Sequence, residues 1–384
     1  MYDFIVVGAG PAGSRFARRA AAAGRDVLLL EKGTVGTPLA CSGHVSEDIW
    51  EYVGDDARER LLQNRVYGAR FHVGGPGSNS APFYKQEPVS NVIDRVGLDR
   101  TLADAARAAG AELREGHTVV GVEEHDERIV VEVSVAGDRE GSTDSGSDTV
   151  SGTSNTATQR FETRMLAGCD GPTSRVRRSL GLPEPDELLH GVLAFDNTSD
   201  DGDLVDVHLT APTFFAWRIP RGDAGVEYGL AAPPGDDVSA LFDRLTDEYD
   251  VTTDRFCSGA IPVGPPARVT TDRAFLIGDA AAQTKPFTGG GILYGMAAAD
   301  IAAEAIDPND PGTLTQYESR WREELGREIR LGKAIRACYS LPKPVQKVGL
   351  RALSGEIGVH MDRPTSFFSP SHLRKLVSRA DPPE

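Results

Sequence analysis

The stretch that decides the fold is the first: Met1-Tyr-Asp-Phe-Ile-Val-Val-Gly8-Ala-Gly10-Pro11-Ala12-Gly13, an alanine- and arginine-rich run, then Asp26-Val-Leu-Leu-Leu-Glu31. A short apolar run enters a glycine turn, helix-forming residues follow over Ser14–Ala23, and a second apolar run ends in an acid. That order predicts a β-α-β unit. Gly8 permits the tight turn, Gly10 lets backbone N–H groups approach a pyrophosphate, and Gly13 lets helix and strand pack closely. The helix N-terminus turns its positive dipole end toward phosphates. Glu31, about twenty residues past the turn and followed by Lys32, is placed to accept hydrogen bonds from ribose hydroxyls. An ordinary helix-starting turn leaves Glu31 unexplained, so the unit predicts a bound dinucleotide.

A second signal lies about 270 residues on, at Gly278-Asp279, followed by Pro286-Phe287-Thr288-Gly289-Gly290-Gly291-Ile292. A strand ending in Gly-Asp sets a carboxylate at the carboxyl edge of a parallel sheet, where ligands bind. That acid suits a ribityl hydroxyl, and the glycine run brings backbone N–H groups near an anionic ring edge. The separation is too long for a simple NAD unit. Two motifs so far apart, each holding one end, indicate FAD. Asp279 as a plain helix cap is the alternative.

Composition narrows the class. The chain has 384 residues, 40% of them hydrophobic, enough for a large core. No stretch approaches the ~20 apolar residues of a membrane span. The N-terminus reads as a buried strand rather than a leader, because Asp3 and the glycine turn interrupt it. Cys41, Cys169, Cys257 and Cys338 are scattered without metal-ligand spacing, so no metal is expected, and a reduced cytoplasmic setting is. The net charge of −16 argues against nucleic acid. Only seven of the 41 basic residues are lysine, which suggests a high-salt cytoplasm. Charge is uneven: from Thr313 onward thirteen basic residues face eight acidic ones, leaving residues 1–312 at −21. A basic tail suits a phosphate-bearing partner or membrane surface; pairing with the acidic body is the alternative.

Between the motifs, Ser46 stands where it can cap a helix over Glu47–Val53. Residues 65–92 and 188–232 alternate like strands, 118–135 like a hairpin, and helices are expected over Leu98–Ala109 and Val238–Tyr249. Gly137–Gln159, polar and nearly devoid of apolar residues, predicts a solvated loop. A helix from about Gly290 to Ile306, a charged helix from Leu314 to about Ser340 and a proline-punctuated helical tail complete the chain.

With these residues in view the chain resembles the geranylgeranyl reductase family of flavoproteins, within the group sharing the p-hydroxybenzoate hydroxylase fold. The resemblance rests on the GxGPAG unit, Cys41-Ser-Gly-His44-Val-Ser46, Asp170-Gly171 with Ser174 and Arg175, Phe215-Ala-Trp217-Arg-Ile-Pro220, and the Gly278–Ile292 block. The cysteine-glycine segment joined to an aromatic-x-Trp strand is its specific part. Two departures stand out: Ala282 where the family often has glycine, and Ile219 where it often has Phe. The second gives a flavin-dependent halogenase flavour, but Lys85 lies in the wrong context for that chemistry.

The resemblance implies an α/β (α+β) architecture. A Rossmann-like FAD-binding domain (1–64, 93–180 and 265–310) is interleaved with a β-sheet substrate domain (65–92 and 181–264), and a helical region follows (311–384). FAD contacts then fall on Gly8, Gly10, Pro11, Ala12, Gly13, Glu31, Lys32, Cys41, Arg95, Asp170, Gly171, Gly278, Asp279, Pro286, Gly289, Gly290, Gly291 and Ile292. Phe215 and Trp217, alternating with Ala216, should share one sheet face as tunnel walls, with Phe287 and Tyr294 nearby; plain core packing is the alternative.

The implied activity is saturation of isolated double bonds in geranylgeranyl chains, on archaeal-type ether phospholipids or a related prenyl lipid. Such bonds have no carbonyl to polarise them. Protonating one carbon while the other takes hydride from N5 of reduced flavin answers that need. Cys41 is the first candidate acid, or a small cavity-shaping filler, and His44 the second, or a structural histidine. The electron donor is open among NAD(P)H, ferredoxin and another carrier. A lipid substrate implies peripheral contact with the inner membrane face. A flavin monooxygenase acting on an aromatic or polyene substrate shares the fold and is the alternative.

Overall fold

Phe4 to Val7 form an uninterrupted apolar run because their strand is covered on both faces, the pattern of a central parallel strand. In the computed structural model, which describes residues 1–37, 41–135, 157–356 and 362–364, that strand is β1 (Tyr2–Val7). The chain continues with α1 (Pro11–Ala22), β2 (Val27–Leu30), β3 (His44–Ser46), α2 (Asp55–Leu61), β4 (Leu62–Val66), β5 (Gly68–His72), β6 (Ser80–Tyr84) and β7 (Ser90–Ile93). Then come α3 (Arg95–Ala108), β8 (Glu112–Arg114), β9 (His117–Glu124), β10 (Ile129–Val135), β11 (Ala157–Gly168) and α4 (Arg175–Ser179). Strands β12 (Glu187–Asp196), β13 (Leu204–His208), β14 (Ala216–Pro220) and β15 (Val226–Ala232) lead to α5 (Val238–Tyr249), β16 (Asp254–Val263) and β17 (Ala274–Leu276). The chain then runs through α6 (Ile292–Ala305), α7 (Thr313–Ala337), α8 (Lys343–Leu353) and β18 (Gly355–Glu356).

A seven-stranded sheet in the order β8-β2-β1-β11-β10-β9, with β17 also on β11, holds the two glycine motifs. Val7 pairs with Gly168, and Gly168 with Leu276, all in parallel. Three parallel strands thus end side by side, and the Gly8, Asp170 and Asp279 turns leave the same edge. Phe4, Phe16 and Phe275 lock α1 onto this sheet edge-to-face, with centroids 5.2–6.3 Å apart. Arg15 of α1 meets Asp300 of α6 at 2.7 Å. An eight-stranded sheet in the order β16-β12-β15-β14-β13-β5-β6-β18 forms the second layer, and β3-β7-β4 a small third sheet.

Several local expectations change. Ser46 is the last rung of β3, opposite Ser90, and a single 3-10 turn over Glu47–Glu51 follows; its buried hydroxyl makes no cap. Residues 157–159, expected in a solvated loop, are strand, because β11 pairs with Val133–Val135 and ladder bonds override polar composition. The rest of that stretch, 137–156, lies outside the described residues, as do 38–40, 357–361 and 365–384. The segment 65–92 divides between two sheets: β5 and β6 join the large one, while β7 pairs with β3 and β4. The C-terminal region is not all helix, since β18 pairs in parallel with β6 at Phe83 and Tyr84.

Candidate functional site

The three glycines of the first turn leaving the parallel edge have different reasons for being glycine. Gly8 takes φ +101°, and a Cβ there would stand 2.4 Å from the Cys169 carbonyl oxygen. A Cβ on Gly13 would stand 2.0 Å from the Gly8 carbonyl oxygen. Both are demanded by the protein itself. Gly10 is not: its φ is −69° and a Cβ would meet nothing within 4 Å. The space it leaves belongs to a cavity lined by Gly8, Gly10, Pro11 and Ala12, at the N-terminus of α1, where N–H groups lack helical partners. A glycine the protein does not need is explained by an anion that must come close.

Around that cradle the polar groups are incompletely bonded. Glu31 ends β2 and accepts from the N–H groups of Ala9 at 2.9 Å and Gly33 at 3.2 Å, keeping further acceptor capacity on both oxygens. Asp279 has no hydrogen bond to its carboxylate among the described residues. Burial pushes its pKa up to about 6, against the pull of Arg95. Gly291 is a glycine because a Cβ would stand 2.5 Å from the Asp279 carboxylate. Arg95, at the start of α3, is buried and bonded to Asp99 at 2.8 Å. Burial alone would lower its pKa, but Asp99 and Cys41 outweigh that and hold it above the ordinary value. Its Nε is buried without a partner. Leaving such groups unmatched costs about 1–3 kcal/mol each. The unbonded Asp279 carboxylate on the cavity wall, with the Arg95 side chain behind it, fits the hydroxyls of an FAD laid along this edge.

Other residues stand differently from expectation. The Asp170 carboxylate accepts from the Ser174 hydroxyl at 2.6 Å and from the N–H groups of Arg175 and Val176 at 2.7 and 3.1 Å. It builds the Gly171 turn on the cavity wall, with its bonds directed into α4. Lys32, Gly278, Gly289, Gly290 and Ile292 line the cavity; Gly13, Pro286 and Tyr294 do not. Pro286 packs where a Cβ on Gly332 of α7 would fall, at 2.9 Å. Tyr294 is buried in the core and donates to the Asp362 carbonyl at 2.8 Å, one layer behind the cavity wall. Its helix α6 is apolar except for Asp300 and Glu304, so periodicity barely marks a face around Tyr294.

Cys41 and His44 both line the cavity. Arg95 reaches Cys41 as well as Asp99. The His44 ring nitrogen Nε2 lies 2.7 Å from the Ser90 hydroxyl. Burial lowers the His44 pKa to about 4, helped by the positive charge of Lys285. His44 is therefore a neutral imidazole at neutral pH and holds no cationic proton to give.

The cavity, about 1630 Å3, runs on from the glycine edge to Val207, Phe215, Trp217, Phe287, Tyr339 and Leu350. Pockets for one small ligand span roughly 300–1,000 Å3, so a cofactor and a long apolar substrate fit together. Phe215 and Trp217 meet edge-to-face at 5.9 Å on its wall. The Trp217 indole covers Gly229, whose Cβ would stand 2.4 Å from the ring, and its N–H donates to Glu227 at 2.8 Å.

Three arrangements escaped the sequence. Glu227 and Arg221, 0% and 6% exposed, pair at 2.8 Å. Arg221 also donates to the Ser42 carbonyl and to Gln63, tying the Trp217 strand to the Cys41 loop. Arg177, wholly buried, donates to the carbonyls of Ala280 at 3.0 Å and Pro172 at 2.9 Å, clamping the Asp170 and Asp279 turns together. Lys285, buried on the cavity wall, pairs with Asp362. The Trp-Arg-Ile-Pro-Arg run was the one available cue, since an arginine bounding a buried strand must find an acid. Among the described residues no group of three or more His, Cys, Asp or Glu could hold a metal, and no helix is long and apolar enough to cross a membrane.

The FAD binding domain family matches residues 1–232. Digeranylgeranylglycerophospholipid reductase 2 of Methanothermobacter thermautotrophicus is 32% identical, the alignment covering 85% of each chain. A geranylgeranyl bacteriochlorophyll reductase-like protein from Thermoplasma acidophilum superposes with a TM-score of 0.78 at 22% identity, covering 98% of this chain and 96% of that one. The p-nitrophenol 4-monooxygenase PnpA from Pseudomonas putida DLL-E4 superposes with a TM-score of 0.68 at 18% identity, over 98% and 96%, and shares the fold. With its paired glycine turns, its unmatched polar edge and these relatives, the chain belongs to the geranylgeranyl reductase family of FAD-dependent oxidoreductases.

Proposed function

We propose that the protein saturates the isolated double bonds of geranylgeranyl chains carried on an ether phospholipid. The observation that carries this reading is the single cavity joining the Gly8–Asp279 edge to an apolar channel. The substrate class follows from relatives named as digeranylgeranylglycerophospholipid reductases. FAD, once reduced, supplies the hydride.

The remaining work belongs to the protein. The aromatic and aliphatic wall excludes water and holds the chain extended, so that protonation is not lost to solvent. Cys41 delivers the proton to the alkene carbon, and the anion it leaves sits beside Arg95. Neutral His44 fixes the loop through Ser90 rather than acting as acid. Arg221 and Glu227 hold the Cys41 loop and Trp217 at a set separation.

The direct test is anaerobic incubation of the chemically reduced, FAD-loaded protein with a digeranylgeranylglycerophospholipid, followed by mass spectrometry. Stepwise gains of two hydrogens per bond are expected. Oxygen uptake coupled to a hydroxylated product would replace this reading with the monooxygenase one. Cys41→Ala and Cys41→Ser should retain FAD and lower the rate by about 10²-fold or more, the usual range for a positioned acid; full rates in both variants would remove Cys41 from the chemistry. Trp217→Ala should shift the preferred chain length toward bulkier or longer substrates. A change in melting temperature with no change in preference would make Trp217 a packing residue.

A further inference from the structure

Helix α8 has three distinct faces. Lys343, Lys347 and Arg351 recur every four residues and form one stripe. Val345, Val348 and Ala352, with Leu341 just before the helix, form a second, largely exposed one; Leu341 and Val345 also border the cavity mouth, while Val348 and Ala352 face away from it. Val345, Val348 and Leu341 are 51%, 70% and 42% exposed. The third face, with Gln346, Leu350 and Leu353, lines the cavity mouth. The helix is tied down at both ends: Gln346 donates to the Tyr339 carbonyl at 2.7 Å, and β18 pairs with β6 directly after it.

The charge is just as directional. From Ile329 to Gly355 there are six Lys and Arg and no Asp or Glu, in a chain of net charge −16. On α7, Lys333 and Arg336 pair with Asp186 and Glu187. On α8 the three basic side chains have no ion-pair partner among the described residues. An apolar stripe bordered by unpaired bases is the form of a helix lying in a lipid headgroup layer. Each base near an anionic leaflet adds to its affinity, and the apolar stripe supplies the rest.

We propose that α8 is the surface by which the protein seats on an anionic phospholipid bilayer. The Val345–Val348 stripe enters the headgroup region, and a lipid chain passes beneath the helix into the cavity without crossing water. The identity of the cargo rests on the prenyl-phospholipid reading above; the seating is read separately.

The experiment is co-sedimentation of the full-length, FAD-loaded protein with vesicles of phosphatidylglycerol and phosphatidylcholine that contain no prenyl lipid, at ~0.1 M salt. Three proteins are compared: wild type, Val348→Asp and the triple variant Lys343→Gln, Lys347→Gln, Arg351→Gln. Wild type should sediment with the anionic vesicles, and the triple variant should partition about 100-fold less. Val348→Asp should lose binding while keeping its flavin spectrum and its activity on detergent-dispersed substrate. Equal partitioning of all three proteins overturns the proposal, and so does wild type left in the supernatant. A wild-type dimer that Val348→Asp converts to monomer, without vesicle binding, assigns the stripe to a second copy and also overturns it. If the seating pattern holds and no prenyl chain is reduced in detergent, the bilayer surface stands and the substrate reading falls.

Discussion

Gly10→Val should yield a folded, colourless protein. The position tolerates a side chain as far as the protein is concerned, since its φ is −69° and a Cβ would meet no atom within 4 Å. Valine methyls would instead fill the space against the α1 N-terminus where a pyrophosphate must approach. Affinity for FAD should fall by at least ~1000-fold, or about 4 kcal/mol, read by flavin fluorescence on titrating the apoprotein. Its melting temperature should match wild-type apoprotein within a few degrees. Gly13→Ala is the contrast, because its new Cβ would stand 2.0 Å from the Gly8 carbonyl oxygen. That variant should be destabilised by about 3 kcal/mol or more, losing flavin because it loses the turn. Tight FAD binding by folded Gly10→Val would show that the cofactor lies elsewhere.

The second large effect concerns Asp279, and it separates stability from binding. Burial raises this carboxyl to about 6, with Arg95 opposing. A folded-state pKa above the unfolded value means that the stabilising form is the protonated one. Its contribution is fully present below about pH 4 and is lost as pH rises through about 6. The loss amounts to roughly 3 kcal/mol. Apoprotein carrying Asp279→Asn should therefore be more stable than wild-type apoprotein at pH 7 and should show a flatter stability profile between pH 4 and 6. The same variant should bind FAD about 10–100-fold more weakly, because it loses a charge-assisted hydrogen bond worth about 1.5–3 kcal/mol. Denaturant melts of apoprotein across that pH range, beside a flavin titration, read both effects. A variant that loses stability at pH 7 and keeps its flavin affinity would make Asp279 a structural acid. The ordinary pattern of a functional site is stability given up for a ligand contact.

The parts of this protein legible before folding are those whose physics is local. The tight turn at Gly8, the helix after it (expected from Ser14, but begun at Pro11), the acid at the end of β2 and the Gly278–Asp279 corner each follow from steric and hydrogen-bonding demands within a few residues. Helix α5 is bounded as expected, Val238–Tyr249, because Asp237 caps it and its apolar spacing is regular. The β-α-β unit and the distant Gly278–Asp279 motif pointed to FAD, and the fold class followed from the family resemblance that those residues carry.

Tertiary structure alone decided which side of each element meets the cavity. Tyr294 turns to Asp362 and Phe287 to the channel, although both are apolar-bodied residues on adjoining segments. Lys285 finds its acid 77 positions away, and Arg221 reaches Ser42 across 179. A buried charge takes whichever partner packing brings within reach, and local propensity does not encode that choice. The C-terminal helices show it most plainly. Their composition announces a basic, amphipathic segment, but the pairing of β18 with β6 is what lays α8 across the mouth of the cavity.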